Sequence, residues 1–356
     1  MTGHPKIIWP QIEQAMKDRV LILDGAMGTM LQAYKLDEAD FRGTEFADWA
    51  SPLRGNNDLL SITRPDAVRD VHSAFFAAGA DMIETNTFNA TSISQADYGL
   101  SEHAGAIAKA GAKIARTVAD DWTAKTPDKP RAVLGALGPL SKTLSLSPKV
   151  EDPGYREVNF DQVVTSYKTQ IEAMFEYIDA LLIETIFDTL NAKAAIFAAK
   201  EVFAARGQDL PVMISGTITD KSGRTLSGQT VEAFWHSIAH AKPFAVGLNC
   251  ALGAEEMRPY VQALAKIADT YILAYPNAGL PNAFGEYDET PTHMCNHIIP
   301  WIEDGWVNIV GGCCGSTPQH IAKLADNASK LSPRQNPEIS PALRLSGLEP
   351  FILGAA

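Results

Sequence analysis

The sequence predicts an α/β fold, a single (β/α)₈ barrel with its functional site at the carboxyl ends of the strands. Short apolar runs alternate with longer amphipathic segments along all 356 residues. Such alternation is typical of parallel strands joined by helices, and eight runs favour a closed barrel over an open doubly wound sheet. The eight predicted strands are Val20–Leu23, Met82–Thr85, Ala132–Leu137, Ala180–Glu184, Val212–Thr217, Ala245–Asn249, Tyr271–Ala274 and Val307–Val310.

The segments between the strands have helical periodicity. The polar stretch from Phe41 to Asn57 is irregular and is predicted to form a long first βα loop over the barrel mouth. The barrel is predicted over residues 1–331, and residues 332–356 are predicted as a strap or linker tail. The tail's expected apolar anchors are Leu345, Leu348, Phe351 and Ile352. The predicted helices include Pro65–Ala78, Phe160–Tyr177, Asn191–Arg206, Thr230–His240, Glu255–Ala268 and Pro318–Lys330.

Composition excludes several classes of protein. The net charge of −12 disfavours binding to nucleic acid or to an anionic membrane, since both require clustered positive charge. The first eleven residues contain no apolar signal segment, and no run has the length of a membrane span. Four cysteines in the whole chain do not form a disulfide framework. We therefore expect a cytoplasmic protein whose thiols are reduced.

Chemically useful side chains follow several of the predicted strands. Because a barrel brings the carboxyl ends of its strands together, these residues are expected at one mouth. Strand ends are polar in most proteins, which explains much of the pattern but not the thiols and the two glutamates. The residues concerned are Asp24, Glu84, Glu184, Asn249, Cys250, Asn277, Cys313 and Cys314.

Three of the four cysteines lie at the ends of two apolar runs, as Cys250 and as the pair Cys313–Cys314. A buried structural role is one interpretation, because cysteine often acts as a small core residue. Adjacent residues of a regular strand point to opposite faces, so both members of the pair cannot face one core. The glycines around the pair permit an irregular backbone that turns both sulfurs toward one point. A vicinal disulfide is strained, whereas three thiolates suit zinc with an open fourth position.

Two further patterns indicate binding of an amino acid. Glycines in the segment Asp24-Gly25-Ala26-Met27 directly follow the first strand, so backbone amides there are able to hold a carboxylate. Asp24 either caps the following helix or faces an ammonium group. Glu184 and Glu84 each end an apolar strand, where a carboxylate is costly to bury without a cationic partner. That partner is either a substrate ammonium group or an internal lysine or arginine.

One cluster resembles a metal site without being predicted as one. His293 and His297 are four residues apart at the start of a predicted helix, so they share a face while Cys295 points away. We therefore interpret the cluster as a surface feature.

The motifs together resemble the homocysteine-binding N-terminal module of cobalamin-dependent methionine synthase and, more broadly, the homocysteine S-methyltransferase family. The resemblance extends from about Val20 to the Leu348-Glu349-Pro350 tail. Its segments are Leu23–Thr29, Ile83–Phe88, Ile183–Thr185, Phe187–Thr189, Gly247–Ala251, Pro276–Gly279 and Gly311–Gly315.

The resemblance implies a role for each matching residue. Cys250, Cys313 and Cys314 would ligate Zn²⁺, and the zinc-bound homocysteine thiolate would attack an electrophilic methyl group. Asp24 and the amides of Gly25, Ala26 and Met27 would hold the amino-acid end of homocysteine. Glu184 would bind the ammonium group and contribute to catalysis. Asn249 and Glu84 are also expected to contact the substrate.

The resemblance leaves the methyl donor open. The full-length enzyme continues into folate, cobalamin and reactivation modules, whereas this chain carries no cobalamin motif or obvious folate site. The match around Asn249 and through Pro276–Asn282 favours methylcobalamin on a separate corrinoid protein of a split methionine synthase, which would also include a folate-binding component. The alternatives are a self-sufficient enzyme using betaine or S-methylmethionine, and a non-catalytic zinc- or thiol-binding subunit.

Overall fold

A computed structural model describes residues 8–283 and 285–354 of the protein. The strands are β1 Leu21–Ile22, β2 Met82–Glu84, β3 Ala132–Leu137, β4 Ala180–Ile186, β5 Val212–Gly216, β6 Ala245–Gly253, β7 Tyr271–Asn277, β8 Ile309–Val310, β9 Ala342–Ser346 and β10 Pro350–Gly354. The helices are α1 Trp9–Asp18, α2 Met27–Gln32, α3 Glu38–Arg42, α4 Leu60–Thr63, α5 Pro65–Ala77, α6 Ser92–Gln95, α7 Ala104–Lys125, α8 Phe160–Met174, α9 Thr189–Arg206, α10 Val231–Ile238, α11 Ala254–Ile267, α12 Pro291–Glu303 and α13 Pro318–Ala328.

Strands β1 to β8 form one parallel sheet that curls into a barrel. Each strand pairs with the next along the chain from β2 to β8, and β8 pairs with β1. A parallel bridge between Leu23 and Met82 joins β1 to β2 and closes the ring. The predicted (β/α)₈ barrel is therefore confirmed, and the carboxyl ends of all eight strands open on the same face.

The barrel has two apolar cores. Alternate strand residues such as Leu134, Leu182 and Leu273 point inward and pack with Trp9 and Ile12 of α1. Helix α1 thus covers the amino-terminal end of the barrel. The remaining strand side chains pack outward against the surrounding helices in a larger core. Because the inward-facing and the outward-facing strand residues are both buried, each strand forms a continuous apolar run in the sequence, as expected for a parallel sheet.

Where the strands begin, buried carboxylates complete the hydrogen bonding between neighbouring strands. Asp81 accepts a hydrogen bond from the Ile22 amide (2.9 Å) and two from the guanidinium of Arg19 (2.8 Å each). Asp179 accepts one from the Val133 amide (2.7 Å) and pairs with Arg116 (2.8 Å). These buried carboxylates tie neighbouring strands together at the end opposite the mouth.

The predicted strand starts agree closely with the structure, and the ends differ. The third strand, Ala132–Leu137, matches at both ends. The strands containing Glu184, Cys250 and Asn277 each extend two to four residues beyond the prediction. The pairing register shifts between Ile183 and Ile186, and again between Asn249 and Gly253. These irregular extensions carry the polar residues of the mouth.

The carboxyl-terminal tail ends in a β-hairpin, β9 and β10, that packs on α10. Ser346 Oγ donates a hydrogen bond to the Ala233 carbonyl (2.6 Å), and the Thr230 amide donates to the Leu348 carbonyl (3.1 Å). The expectation that four apolar residues anchor this tail is wrong, because each of them is more than half exposed. They are Leu345, Leu348, Phe351 and Ile352.

Buried Arg334 holds the tail at its start by donating hydrogen bonds to the carbonyls of Ala265 (2.9 Å) and Ala268 (2.6 Å). The proposed division of the chain at residue 331 stays a prediction. Among the described residues, no helix is both long enough and apolar enough to cross a membrane.

Candidate active site

One cavity of about 240 Å³ opens at the carboxyl ends of the barrel strands. It brings together residues that are far apart in the sequence, because they lie at the carboxyl ends of several different strands. The predicted site residues that line it are Asp24, Gly25, Ala26, Met27, Glu84, Glu184, Cys250, Cys313 and Cys314. Further lining residues are Gly28, Thr29, Asn57, Asp58, Thr85, Asn86, Phe88, Asn89, Thr185, Tyr275 and Gly312.

The thiols of Cys250, Cys313 and Cys314 converge at one side of this cavity. Their sulfur atoms all lie within 4.8 Å of one another, and Cys250 Sγ is 3.9 Å from Cys314 Sγ. All three thiols are free and partly accessible, while Cys295 lies elsewhere, on the buried face of α12. No other group of three cysteine, histidine or acidic residues in the described chain comes together in this way.

The backbone leaves regular β geometry where the cysteines and Glu184 occur. Cys250 and Ala251 have φ values of +60° and +58°, and Thr185, which follows Glu184, has a φ of +55°. Such values are unusual for residues other than glycine, and each costs about 1–3 kcal/mol. Strain of this kind persists where the surrounding structure fixes it. Here the strained backbone accompanies the approach of Cys250 to the cysteine pair that follows β8.

Glycine is required beside the pair for a different reason. Gly315 has a φ of +81°, and a Cβ atom at this position would lie 2.3 Å from Cγ of Tyr287. The Tyr287 ring therefore packs directly on the backbone that follows Cys314. Gly312 is equally restricted, because a Cβ atom there would lie 2.4 Å from Ser316 Oγ.

The thiols of the cluster differ in pKa. Hydrogen bonds with the Cys250 and Cys313 thiols lower the pKa of Cys314 to about 3. The contacts of Cys313 with the Cys250 and Cys314 thiols raise the pKa of Cys313, and burial adds to the effect. One thiolate is thus stabilised by two neighbouring thiols, which is the donor set that a soft cation would bind.

A buried side-chain oxygen at the end of β7 has no hydrogen-bond partner in the described chain. Asn277 Oδ1 is buried and accepts no hydrogen bond. Its chain neighbours are tied to the cysteine pair, since the Cys313 amide donates to the Pro276 carbonyl (2.8 Å) and the Ala278 amide donates to the Cys314 carbonyl (2.9 Å). The three sulfur donors are chemically suited to Zn²⁺.

Four carboxyl groups line the cavity, and three of them, Asp24, Glu84 and Glu184, are predicted from the sequence. Asp24 and Glu184 are each 3% exposed, and Glu84 lies between them at the end of β2. Asp24 Oδ2 accepts a hydrogen bond from the Glu84 amide (3.2 Å), and the Tyr275 hydroxyl lies 3.5 Å from Glu184 Oε2. Arginine and lysine are absent from the residues that line the cavity.

Burial without a cation perturbs all three acids. It raises the pKa of Glu84 to about 8. Burial and the charge of Glu84 raise the pKa of Asp24 well above its usual range. Burial together with the charges of Glu84 and Asp24 does the same to Glu184. The cavity is therefore suited to a ligand that supplies a positive charge.

Comparison with known proteins identifies the family. Residues 21–328 match the family model described as homocysteine S-methyltransferase, which covers most of the 356 residues. The chain belongs to the homocysteine S-methyltransferase family.

Solved structures agree with this homocysteine S-methyltransferase family assignment at the level of the fold. The oxidized form of the homocysteine methyltransferase MmuM from Escherichia coli is 22% identical, with a TM-score of 0.68 over 91% of this chain and 99% of that chain. Its metallated form is 23% identical, with a TM-score of 0.68 over 89% of this chain and 99% of that chain.

Asn249 of this family member lies beneath the cavity rather than in it. Its side chain is fully buried, and its Oδ1 accepts hydrogen bonds from Ser215 Oγ (2.7 Å) and from the Thr185 amide (3.0 Å). Its Nδ2 donates to Thr185 Oγ1 (2.8 Å) and lies 4.0 Å from Cys313 Sγ. Asn249 does not line the cavity, and its direct contact with substrate stays a prediction. In the structure the residue connects the strands that carry Glu184 and Cys250.

Sequence reasoning missed Asp58, which lines the cavity opposite the thiols. It is 3% exposed, accepts a hydrogen bond from the Asn89 amide (3.2 Å), and burial raises its pKa to about 7. The signal available was its place directly after the loop predicted to cover the mouth. Tyr275 was missed because the predicted strand ended one residue earlier.

The histidine cluster is a surface feature, as predicted. His293 and His297 lie on one face of α12, with ring centres 4.7 Å apart, and His293 Nδ1 pairs with Glu289 Oε1 (2.6 Å). Cys295 points into the core instead.

Proposed function

We propose that this chain is a zinc-dependent homocysteine S-methyltransferase that produces methionine in the cytoplasm. The observation that carries the proposal is one cavity lined by three converging thiols and by four carboxyl groups, of which Asp24, Asp58 and Glu184 are buried. A ligand with a thiol at one end and an ammonium group at the other satisfies both sets of groups. Homocysteine is such a molecule, and it is the substrate in the name of the family.

Zinc would be held by Cys250, Cys313 and Cys314. Their donor chemistry and the strained backbone at Cys250 support this assignment. When bound, the metal would lower the pKa of the substrate thiol and hold it as the nucleophile at neutral pH. The metallated form of MmuM is consistent with a metal in a protein of this fold.

The chain itself would bind and orient the amino-acid end of the substrate. Glu184 and Asp24 would face the ammonium group, whose charge restores their ionised forms. Backbone amides of Gly25, Ala26 and Met27 would hold the carboxylate, although the Ala26 amide also lies 3.2 Å from Ser316 Oγ. Glu84 completes the acidic wall. Fixing both ends of the substrate leaves its sulfur in one place for the attack.

The methyl donor in this proposal is methylcobalamin on a separate corrinoid protein, as in a split methionine synthase with a folate-binding component. Residues of the mouth support this choice through their likeness to the first module of the cobalamin-dependent enzyme, around Asn249 and through Pro276–Asn282. A cavity of about 240 Å³ accommodates homocysteine but is too small to enclose a corrinoid ring. Such a donor would have to approach from outside the mouth.

Donor competition tests the proposal. Zinc-loaded protein is incubated with homocysteine and, in parallel, with free methylcobalamin, a methylated corrinoid protein, betaine or S-methylmethionine, and methionine is quantified. We expect methionine from the corrinoid donors and none from betaine. Turnover with betaine or S-methylmethionine alone would overturn the corrinoid assignment. If no donor gave methionine, even the methylated corrinoid protein, a non-catalytic zinc- or thiol-binding subunit would be favoured.

The matched control is Cys295→Ala, which removes the one cysteine outside the cluster. It should retain the activity of the wild type, whereas Cys314→Ala should lose it. Equal losses in both variants would show that the activity does not depend on the cluster.

A further inference from the structure

Two neighbouring loops of the barrel mouth carry the groups proposed for opposite ends of the substrate. The segment Asp24–Met27, here called the amino-acid segment, follows β1, and the pair Cys313–Cys314 follows β8. Strands β1 and β8 are paired, and the Gly312 amide extends that pairing by donating a hydrogen bond to the Asp24 carbonyl (3.1 Å). The distance between these two loops therefore determines how long a substrate must be to reach both of them.

Ser316 lies between the two loops and contacts both of them. It is fully buried, and it does not line the cavity. Ser316 Oγ accepts a hydrogen bond from the Ala26 amide (3.2 Å) and donates one to the Cys313 carbonyl (2.7 Å). One hydroxyl group thus joins the backbone of the amino-acid segment to the backbone of the cysteine pair.

Glycines on either side leave the space that this serine occupies. A Cβ atom on Gly25 would lie 2.7 Å from Ser316 Oγ, and one on Gly312 would lie 2.4 Å from the same atom. Both distances are much shorter than the optimal separation of non-bonded heavy atoms, which is about 3.5–4.0 Å. The two loops are therefore packed directly on the serine, and its side chain fixes their separation.

We propose that Ser316 is a positioning residue that sets the distance between the amino-acid segment and the cysteine pair, and thereby selects homocysteine over thiols of other lengths. The inference rests on the proposed function, because it takes the substrate to be an amino acid with a thiol. Cysteine has one methylene group fewer, so it does not reach both loops at a fixed separation. Without the Ser316 hydroxyl the amino-acid segment is free to shift, and this discrimination weakens.

Isothermal titration calorimetry of the zinc-loaded protein, without a methyl donor, tests this inference. The ligands are cysteine, homocysteine and the homologue with one methylene group more than homocysteine. Wild type should bind homocysteine roughly 10- to 200-fold more tightly than cysteine, the discrimination that one methylene group usually gives, and also more tightly than the longer homologue. Ser316→Ala should lower the ratio of homocysteine to cysteine affinity by roughly 2- to 10-fold, the effect of one net hydrogen bond.

Ser166→Ala is the matched control. Ser166 is a buried serine of α8, outside the cavity, and its Oγ likewise accepts a hydrogen bond from a backbone amide, that of Ile93 (3.2 Å). Both variants should lose similar stability in urea unfolding, but only Ser316→Ala should change the affinity ratio. Both should also retain one equivalent of zinc, since the three cysteines are unchanged. Loss of zinc from Ser316→Ala would show that the hydroxyl supports the cluster itself and would overturn the inference.

Circular dichroism shows whether each variant folds. If Ser316→Ala does not fold, Gly25→Ala disturbs the same contact from the other loop and should lower the ratio as well. An unchanged ratio in the folded variant, an equal change in Ser166→Ala, or a wild type without preference for homocysteine would overturn the inference. Absence of homocysteine binding to the wild type would instead overturn the proposed function on which the inference rests.

Discussion

Replacing Glu84 by glutamine should change the pH dependence of stability in a defined direction. Burial raises the pKa of Glu84 from 4.5 to about 8 in the folded protein. Between these values the folded protein keeps a proton that the unfolded chain has released. Stability is therefore greatest below the unfolded pKa and is lost as the pH rises toward 8. Glutamine at this position does not titrate, so the loss of stability that Glu84 causes should disappear.

The size of the effect follows from the shift. One pKa unit corresponds to about 1.36 kcal/mol, so a group that stays protonated only in the folded state removes that amount per pH unit. Between about pH 5.5 and pH 7.5 the wild type should lose roughly 2 to 3 kcal/mol of unfolding free energy relative to Glu84→Gln. The neighbouring acids Asp24 and Glu184 titrate together with Glu84, and the variant also relieves their mutual repulsion.

Urea unfolding of both proteins at several pH values measures this difference. Glu172→Gln, an exposed site on α8, serves as the control and should follow the wild type. Saturating homocysteine should flatten the wild-type curve, because its ammonium group stabilises the ionised carboxylates. A difference between wild type and Glu84→Gln that stays constant across the pH range would refute the assignment of a buried, protonated Glu84.

Three further variants test other parts of the site. Glu184→Gln should raise the KM for homocysteine about 10- to 100-fold through loss of a charge-assisted contact, and an unchanged KM in steady-state assays would exclude it as the ammonium ligand. Asn249→Ala should reduce kcat more than it raises KM, because this residue positions its neighbours without lining the cavity; a selective KM effect would indicate direct contact. Gly315→Ala should destabilise the protein by about 1–3 kcal/mol, since its Cβ meets Tyr287 at a positive φ. Gly207→Ala has the same backbone strain with open space around it and should lose less in the same denaturation assay.

The sequence predicts the barrel well because the burial of strand residues in the core also produces the apolar runs seen in the sequence. Strands such as Ala132–Leu137 are buried on both faces and give unbroken apolar runs, so their limits follow from composition. The polar ends of other strands extend further than predicted, because pairing there continues across shifts in register. Pairing between strands that are distant in the sequence leaves no pattern in the local sequence from which the strand ends could be predicted.

The site is predictable to the extent that it depends on strand order. Cys250 and Cys314 lie 64 residues apart, and only the closure of the barrel predicts that their sulfurs meet. The role of Asn249 was not predictable, because its partners Ser215 and Thr185 belong to other strands. The exposure of the tail leucines was not predictable either, since an apolar residue gives the same signal in a core and at an uncovered face.

Zinc content of the purified protein tests the central claim most directly. Wild type and Cys295→Ala should each bind one equivalent of zinc, measured by mass spectrometry of the metal after dialysis. Cys250→Ala, Cys313→Ala and Cys314→Ala should each lose most of that zinc, because two thiolates hold it far less tightly than three. If all three variants kept a full equivalent, the cluster would not be a zinc site, and the proposed activation of homocysteine would be wrong.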